Sequence, residues 1–270
     1  MDNREWAKLA IVEFLGPFAL CFMGIGAIIQ TNINSPGGDP VAIALAHGLG
    51  IGLILVAAGH ITGGYCNPAL TIGLVVARRL DRQQAIVCIV AQLLGGAAGA
   101  GVLTFVYRDI ERNAVNLGVP AIGVNHNAVN ALIMEIVLTF FLMFVVFGVA
   151  IDHRTGARTI AGLAIGLAVT MGILAGSWVS GATMNPARAF GPELIQQDFA
   201  DFWIWYLGPI IGAVAAAVVY NDVLLGRVLA AAPPSERTDV ERPRAVVEGE
   251  AGAEAAPVAR SRRAQRRRQR

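Results

Sequence analysis

Two stretches of the sequence decide its fold: GGYCNPALTIG at residues 63–73 and GATMNPARAFG at residues 181–191. Each joins a glycine-rich segment to an Asn-Pro-Ala triplet and an apolar run. Asn is a preferred N-cap, and Pro is favoured at the first helical position because its missing N–H would have no intrahelical partner there. The triplets therefore predict helices that begin at Asn67 and Asn185. About ten residues per helix would cover about 15 Å, which is half of a bilayer.

The composition is that of a membrane protein. Of the 270 residues, 55% are hydrophobic and 15% are charged, whereas soluble domains carry roughly 25% charged residues. A spanning helix needs about 20 mostly apolar residues. Six stretches meet this requirement: residues 9–29, 41–61, 85–107, 131–151, 160–178 and 202–224. We therefore predict an all-α membrane protein with six transmembrane helices plus two re-entrant half-helices.

Positive charge is unevenly distributed among the loops. Residues 31–40, between spans one and two, contain no basic residue. The next loop contains Arg78, Arg79 and Arg82, and the loop between spans four and five contains Arg154 and Arg158. The positive-inside rule then places both termini in the cytoplasm. We predict a multi-pass integral membrane protein of the plasma membrane.

The C-terminal segment differs in composition from the rest. From Pro233 onward it contains ten Arg and six Asp or Glu residues, which leaves 11 basic and 13 acidic residues in positions 1–232. We predict a membrane domain over residues 1–232 and a disordered, Arg-rich cytoplasmic tail over residues 233–270. A nucleic-acid-binding protein needs basic residues organised on a folded surface, so we predict no nucleic-acid partner.

The two halves of the membrane domain repeat each other. Glu13 in the first span recurs as Glu135 in the fourth. Each half consists of two spans, a half-helix and a third span, over about residues 9–107 and 131–225. Because three spans per half is an odd number, the second half enters the membrane from the opposite side. Interrupted segments at matching positions of such an inverted repeat indicate a site near the membrane midplane.

The backbone that precedes each half-helix cannot face lipid, so it must line a water-filled cavity or be buried in protein. Its carbonyl groups would form a ladder of hydrogen-bond acceptors. The predicted ladder consists of Gly64, Tyr65 and Cys66 in one half and Gly181, Thr183 and Met184 in the other. Each half-helix N-terminus carries about half a positive charge, so a pair of them at the centre would repel cations, including hydronium.

The segments GHITGGYCNPALT and SGATMNPARAFGP resemble the paired boxes of the aquaporin, or major intrinsic protein, family, and the match covers about residues 5–225. The resemblance implies an aquaporin-like domain that conducts water or small neutral solutes and excludes protons and ions. It also implies a homotetramer in the lipid bilayer, with one pore per subunit. The residues of the central constriction would be Asn67, Pro68, Ala69, Asn185, Pro186 and Ala187.

A narrower selectivity filter is predicted on the extracellular side of the midplane, formed by His47, Ile173, Ala182 and Arg188. The topology places all of them in one layer, and they also fall on the family's aromatic/arginine filter positions. An intramembrane Arg is costly and functional by default. This set resembles the filter of vacuolar-type plant aquaporins, which pass ammonia and hydrogen peroxide as well as water. We therefore predict ammonia as a second solute, with hydrogen peroxide and glycerol as further candidates.

Three buried residues are expected to have structural roles: Glu13, Glu135 and His60. Each carboxylate can accept hydrogen bonds from the backbone of a re-entrant loop, as the resemblance also implies. His60 is expected to brace the first of these loops.

Two other classes of function remain open. A coupled secondary transporter would also use inverted repeats and broken helices, and here Glu13 and Glu135 are the candidates for carrying protons. A membrane enzyme would need a cluster of catalytic or metal-binding residues within the spans. His47 and His60 are not at helical ligand spacing, and the cysteines lack metal-ligand spacing. We therefore favour a passive channel, with no catalytic residues, no metal site and no cofactor.

Overall fold

The computed structural model describes residues 1–226, and the predicted tail at residues 233–270 lies outside the described residues. Within residues 1–226 the chain forms helices and no β-strand. The α-helices are α1 (Asn3–Asn34), α2 (Pro40–Thr62), α3 (Pro68–Val76), α4 (Arg82–Val106), α5 (Asp109–Asn113), α6 (Ala128–Val146), α7 (Ala161–Ser180), α8 (Pro186–Gln196) and α9 (Trp203–Val218). Helices α6 and α9 continue into π-helical turns, Phe147–Ile151 and Val219–Leu225.

Six helices of the described part are long and apolar enough to span a membrane. They contain α1, α2, α4, α6, α7 and α9, which confirms the predicted all-α fold with six spans. The first span is longer than predicted, because polar residues cap it. Asp2 accepts from the Glu5 N–H at 2.8 Å, and the Glu5 side chain accepts from the Asp2 N–H at 3.1 Å. This capping box starts the helix before its apolar stretch begins.

Each half of the bundle is held together by close helix packing at glycine. Helices α1 and α4 pack in the first half, and α6 and α9 are the corresponding pair in the second half. A Cβ atom on Gly95 would lie 2.1 Å from the Phe14 carbonyl oxygen, and one on Gly212 would lie 2.2 Å from the Ile136 oxygen. The absence of a side chain therefore allows the two backbones to touch, as in other membrane helix pairs.

The outward surfaces of the spans are apolar. Large exposed residues include Ile11, Leu53, Ile86, Leu94 and Phe141. An apolar exterior of this extent suits contact with lipid tails or with other membrane subunits.

Helices α3 and α8 are the two half-helices. Helix α3 packs against α4 and α9, and α8 packs mainly against α4. We call the face of the bundle at which α1 begins the terminal face. Since each span reverses the direction of the one before, α9 also ends at the terminal face. Helix α3 enters from that face, and α8 enters from the opposite face.

Candidate functional site

The N-termini of the half-helices meet at the centre of the bundle, where two asparagines link them. The Oδ1 atom of Asn67 accepts from the Ala69 N–H at 2.9 Å, and that of Asn185 accepts from the Ala187 N–H at 2.9 Å. Both side chains therefore cap their own helices, which begin at Pro68 and Pro186. This is the arrangement that an Asn N-cap followed by Pro favours.

The same two side chains also bind across the repeat. Asn67 donates from Nδ2 to the Met184 carbonyl at 2.8 Å, and Asn185 donates from Nδ2 to the Cys66 carbonyl at 3.0 Å. An amide nitrogen has two N–H groups, so each asparagine has a second donor besides the one that binds across the repeat.

A buried carboxylate holds each re-entrant loop. Glu13 accepts from the backbone N–H groups of Tyr65 and Cys66, at 2.8 and 2.7 Å. Glu135 accepts from the corresponding groups of Thr183 and Met184, also at 2.8 and 2.7 Å. Both carboxylates are fully buried. We call each carboxylate with its two backbone N–H donors a cradle, and the two halves of the repeat have the same cradle.

The cradles hold backbone that is otherwise unfavourable. Cys66 and Met184, which precede the two asparagines, have φ angles of 51° and 52°. Ala182 has a φ angle of 49°. Non-glycine residues in this left-handed region cost of order 1–3 kcal/mol each and persist only where their surroundings determine them. The four backbone N–H bonds to Glu13 and Glu135 hold the two loops in this conformation.

Sequence analysis missed two side chains that support these cradles. Gln92 donates from Nε2 to Glu13 at 2.6 Å and to the Thr71 hydroxyl at 3.0 Å. Ser180 donates from its hydroxyl to Glu135 at 2.7 Å. Gln92 carried a usable signal, because it is a lone amide inside an apolar span and polar groups there need partners.

A cavity runs past the paired asparagines. Its polar lining side chains are His47, Tyr65, Asn67, Thr183, Asn185 and Arg188. Most of the remaining wall is apolar, formed by Leu20, Ile51, Leu55, Leu70, Leu74, Leu142, Val146, Ala150, Ile151, Ile165, Val169 and Ile173. Backbone from both re-entrant loops completes it. A solute in the cavity therefore meets a short series of polar groups on an apolar wall.

Five of the six residues of the predicted carbonyl ladder line the cavity. Gly64, Tyr65, Cys66, Thr183 and Met184 line the cavity, together with Gly63. Gly181 is outside the wall, because it ends α7 and its N–H donates to the Ser177 carbonyl at 3.0 Å. That the carbonyl groups of these residues form a ladder of acceptors stays a prediction.

The four predicted filter residues all line the cavity and are buried: His47, Ile173, Ala182 and Arg188. The Nδ1 atom of His47 is 2.9 Å from the Ile43 carbonyl. A carbonyl can only accept, so Nδ1 carries a proton, and in the neutral ring Nε2 is then an acceptor. That Nε2 atom has no hydrogen-bond partner among the described residues.

The ring of His47 lies directly against Gly24 of α1. A Cβ atom on Gly24 would lie 2.2 Å from its Cδ2 atom. The position of the imidazole therefore depends on a glycine in another span, and sequence analysis did not single out this glycine.

Arg188 lies in the first turn of α8 and is 5% exposed. It donates from Nη1 to the Gly118 carbonyl at 2.8 Å. Gly118 belongs to the 3-10 turn Asn116–Gly118, between α5 and α6. Sequence analysis missed this partner, because a backbone acceptor has no residue-type signature.

His60 and Cys66 lie near the first re-entrant loop in the sequence, but one is exposed and the other is buried. The prediction that His60 is buried is wrong: His60 is exposed on the surface of α2, which continues to Thr62. The thiol of Cys66 lies against α1, since a Cβ on Gly16 would lie 2.2 Å from its Sγ atom. Among the residues that the structure describes, no group of three or more His, Cys, Asp or Glu could hold a metal ion.

Comparisons with known proteins agree with this geometry. The chain is 35% identical over 227 residues to Aquaporin TIP4-4 of Zea mays, covering 82% of the chain and 88% of that relative. It is 39% identical over 224 residues to Aquaporin-5 of Ovis aries, covering 82% and 83%. The fold is similar to the X-ray structure of the aquaglyceroporin from Plasmodium falciparum, with a TM-score of 0.76 and 24% identity over 83% of this chain and 98% of that one.

The family model described as Major intrinsic protein matches residues 1–220. This match extends over almost all of the described residues and includes both Asn-Pro-Ala boxes. Taken with the relatives above, it shows that the chain belongs to the major intrinsic protein family.

Proposed function

We propose that the chain conducts ammonia as well as water and excludes protons and ions. As a member of the major intrinsic protein family it is a passive channel for water and small solutes rather than an enzyme. One observation carries the proposal for ammonia: His47, whose Nε2 atom is buried and has no hydrogen-bond partner among the described residues, lines the same cavity as Arg188.

The chemistry of ammonia suits this end of the cavity. NH3 has three N–H donors and one lone pair, so it can donate to His47 and accept from the Arg188 guanidinium. Ammonium has no lone pair, and its charge is repelled by Arg188 across a cavity of low dielectric. Ile173 and Ala182 present no polar side chain, so they add neither a charge nor a hydrogen-bonding side chain to the wall beside His47 and Arg188. Hydrogen peroxide and glycerol have hydroxyl groups that can use the same partners, and they are further candidates.

Exclusion of protons is supported by the central asparagines. Asn67 and Asn185 line the cavity where the half-helix N-termini meet. Each has a second amide N–H, and the dipoles of both N-termini are positive. A water molecule there would accept from both amides and turn its own hydrogens outward. That orientation interrupts a proton relay, in line with the known role of lining donors and half-helix dipoles in aquaporin pores.

We also propose that the terminal face lies in the cytoplasm and that the chain forms a homotetramer in the plasma membrane. The arginine-rich loops after α3 and α6 lie at the terminal face, as the positive-inside rule favours. The apolar exterior of the spans offers a surface for neighbouring subunits as well as for lipid. Native mass spectrometry of the purified protein would measure the number of subunits.

A coupled transporter is the competing function. It would need Glu13 or Glu135 to exchange protons during transport. All four carboxylate oxygens already accept a backbone N–H, which supports a fixed structural role. Water flux that is independent of a pH gradient would favour the channel, and concentrative uptake driven by the gradient would contradict it.

The experiment for ammonia is stopped-flow permeability of proteoliposomes. We expect the wild type to speed both osmotic shrinkage and ammonia entry relative to protein-free vesicles. The double variant His47→Phe, Ile173→His should lose ammonia permeability relative to water permeability. Leu163→Val is the control, because Leu163 lies on the exposed surface of α7. Wild-type vesicles without ammonia flux above the protein-free level would leave only the water channel.

A further inference from the structure

The strap, which we define as residues 113–118, carries the carbonyl that binds Arg188. Its last three residues have left-handed backbone angles, with φ of 47° at Asn116, 48° at Leu117 and 70° at Gly118. Glycine adopts such angles freely, but a bulky residue such as Leu is an outlier there. The strap is therefore strained, and strained residues persist only where their surroundings hold them.

The inner anchor of the strap is Leu117, whose side chain is fully buried. It packs in an apolar cluster with Cys21, Ile25, Ile29, Ala100 and Leu103. This contact fastens the strap to α1 and α4. Apolar packing is not directional, however, so it does not by itself fix where the Gly118 carbonyl points.

The outer anchor is Asn116, which binds the C-terminal end of α8. It donates from Nδ2 to Asp198 Oδ2 at 2.7 Å, and its Oδ1 accepts from Gln196 Nε2 at 3.2 Å. Asp198 is held in turn, because its N–H donates to the Glu193 carbonyl at 3.1 Å. The bond to the Asp198 carboxylate is the stronger of the two side-chain bonds, since one partner is charged.

Helix α8 and the strap thus form a closed frame. Arg188 binds the strap from the first turn of α8, and Asn116 binds Gln196 and Asp198 at and beyond the last turn. The residues between these links, Asn116 to Gly118, have left-handed backbone angles, and Leu117 is the strained one among them. Release of the outer link would let their backbone relax and turn the Gly118 carbonyl away from Arg188.

We propose that Asn116 is a positioning residue for Arg188, because it sets the direction of the carbonyl that holds the guanidinium. This inference rests on the proposed function, in which Arg188 limits the size of the solute. Without the Gly118 carbonyl as its acceptor, the Arg188 side chain would no longer be held in one position against the cavity wall. Larger neutral solutes such as glycerol would then pass more readily relative to water.

The test exchanges the two side chains of the charged link. Asn116→Asp places two carboxylates together and breaks the link. Adding Asp198→Asn restores one amide and one carboxylate in exchanged positions, and the exchanged carboxylate can still accept from Gln196. We expect the glycerol-to-water permeability ratio to rise roughly two- to tenfold in the single variant, the equilibrium effect of about one net hydrogen bond. The ratio should return to the wild-type value in the double variant.

Two further variants separate this role from folding. Asn116→Gly removes the side chain but tolerates the left-handed backbone, so it should raise the ratio even if Asn116→Asp fails to assemble. Asn113→Ala is the matched control: it is the same residue type at the start of the strap, and its contact with Gln196 is longer, at 3.4 Å. We expect its ratio to equal that of the wild type.

Measuring Arg188→Val in parallel distinguishes a failure of the Asn116 proposal from a failure of the proposed filter role of Arg188. If Arg188→Val raises the ratio but assembled Asn116→Asp and Asn116→Gly do not, the positioning role is overturned and the filter role stands. If the exchange variant fails to restore the ratio, the link between Asn116 and Asp198 is not the cause and the proposal is overturned. An unchanged ratio in Arg188→Val overturns both.

Discussion

Asn185 donates its side-chain amide to the backbone carbonyl of Cys66 at 3.0 Å, although the two residues are 119 positions apart in the chain. The carbonyl belongs to the first re-entrant loop and the amide to the second half-helix. One hydrogen bond therefore joins the halves of the repeat at the centre of the cavity. Its counterpart, from Asn67 to Met184, has the opposite direction.

Asn185→Asp should weaken this joint and admit protons. The substitution keeps an N-cap oxygen but removes the N–H that the Cys66 carbonyl accepts. An unpaired buried acceptor costs about 1–3 kcal/mol, and the new carboxylate attracts cations to the centre. We expect a lower unfolding temperature in detergent and a measurable proton leak in vesicles that contain a pH-sensitive dye.

Asn127→Asp is the control for that variant. Asn127 is the exposed N-cap of α6 and accepts from the Val129 N–H at 2.9 Å, a role that Asp also performs. It should change neither the unfolding temperature nor the proton leak. Equal behaviour of the two variants would show that the amide of Asn185 does not join the halves.

Gly24→Ala should disturb the filter through His47. The added methyl group would lie 2.2 Å from the imidazole Cδ2 atom, so the ring must move. Overpacking of this kind typically costs about 1–3 kcal/mol. We expect ammonia permeability of proteoliposomes to fall, because Nε2 leaves its position.

Gly26→Ala provides a matched control on the same helix. A Cβ atom there meets only the Leu103 Cδ2 atom, at 3.7 Å, which is an ordinary van der Waals distance. Its ammonia permeability should equal that of the wild type. A Gly24→Ala channel with normal ammonia flux would mean that the ring position does not control this solute.

The stability of the terminal face should depend on pH through Asp152. This carboxylate follows the π-helical turn after α6 and accepts from Arg154 Nε at 2.8 Å and from the Tyr220 hydroxyl at 3.2 Å. The hydrogen bond from the Arg154 side chain holds the pKa of Asp152 below its ordinary value of 3.8. A group whose pKa is lower in the folded state stabilises the fold above its unfolded pKa, and this contribution is lost as pH falls through the folded pKa.

The wild-type unfolding temperature should therefore fall below about pH 4 more steeply than that of Asp152→Asn. Thermal unfolding in detergent between neutral and strongly acidic pH measures this difference. Arg154→Gln removes the main donor to Asp152, so it should flatten the curve in the same way. Parallel curves for wild type and Asp152→Asn would exclude this carboxylate as a source of acid sensitivity.

The fold could be read from the sequence because its decisive features are local. Asn67 and Asn185 signal helix starts by residue type, and the apolar stretches have the length of a bilayer. The inverted repeat then follows from the order of these segments. Span ends were less accurate, because caps such as Asp2 extend a helix beyond its apolar residues.

The parts of the site that escaped prediction depend on backbone groups and on contacts between distant segments. The Gly118 carbonyl that binds Arg188 resembles any other carbonyl in the sequence. His60 looked like a buried brace because only its position beside the first loop was visible, whereas its exposure depends on where α2 ends. Gly24 became informative only when the ring of His47 was seen to occupy the space beside it.

The crossed asparagine bonds also constrain the biosynthesis of the chain. The Met184 carbonyl that receives Asn67 is 117 residues further along the polypeptide, so the first half leaves the ribosome long before its partner exists. Until then the amide of Asn67 and the carbonyl of Cys66 lack the groups that they bind in the finished protein. Neither half can complete its share of the conduit alone, and closure of the central wall is an event of late assembly, after the second half-helix has inserted.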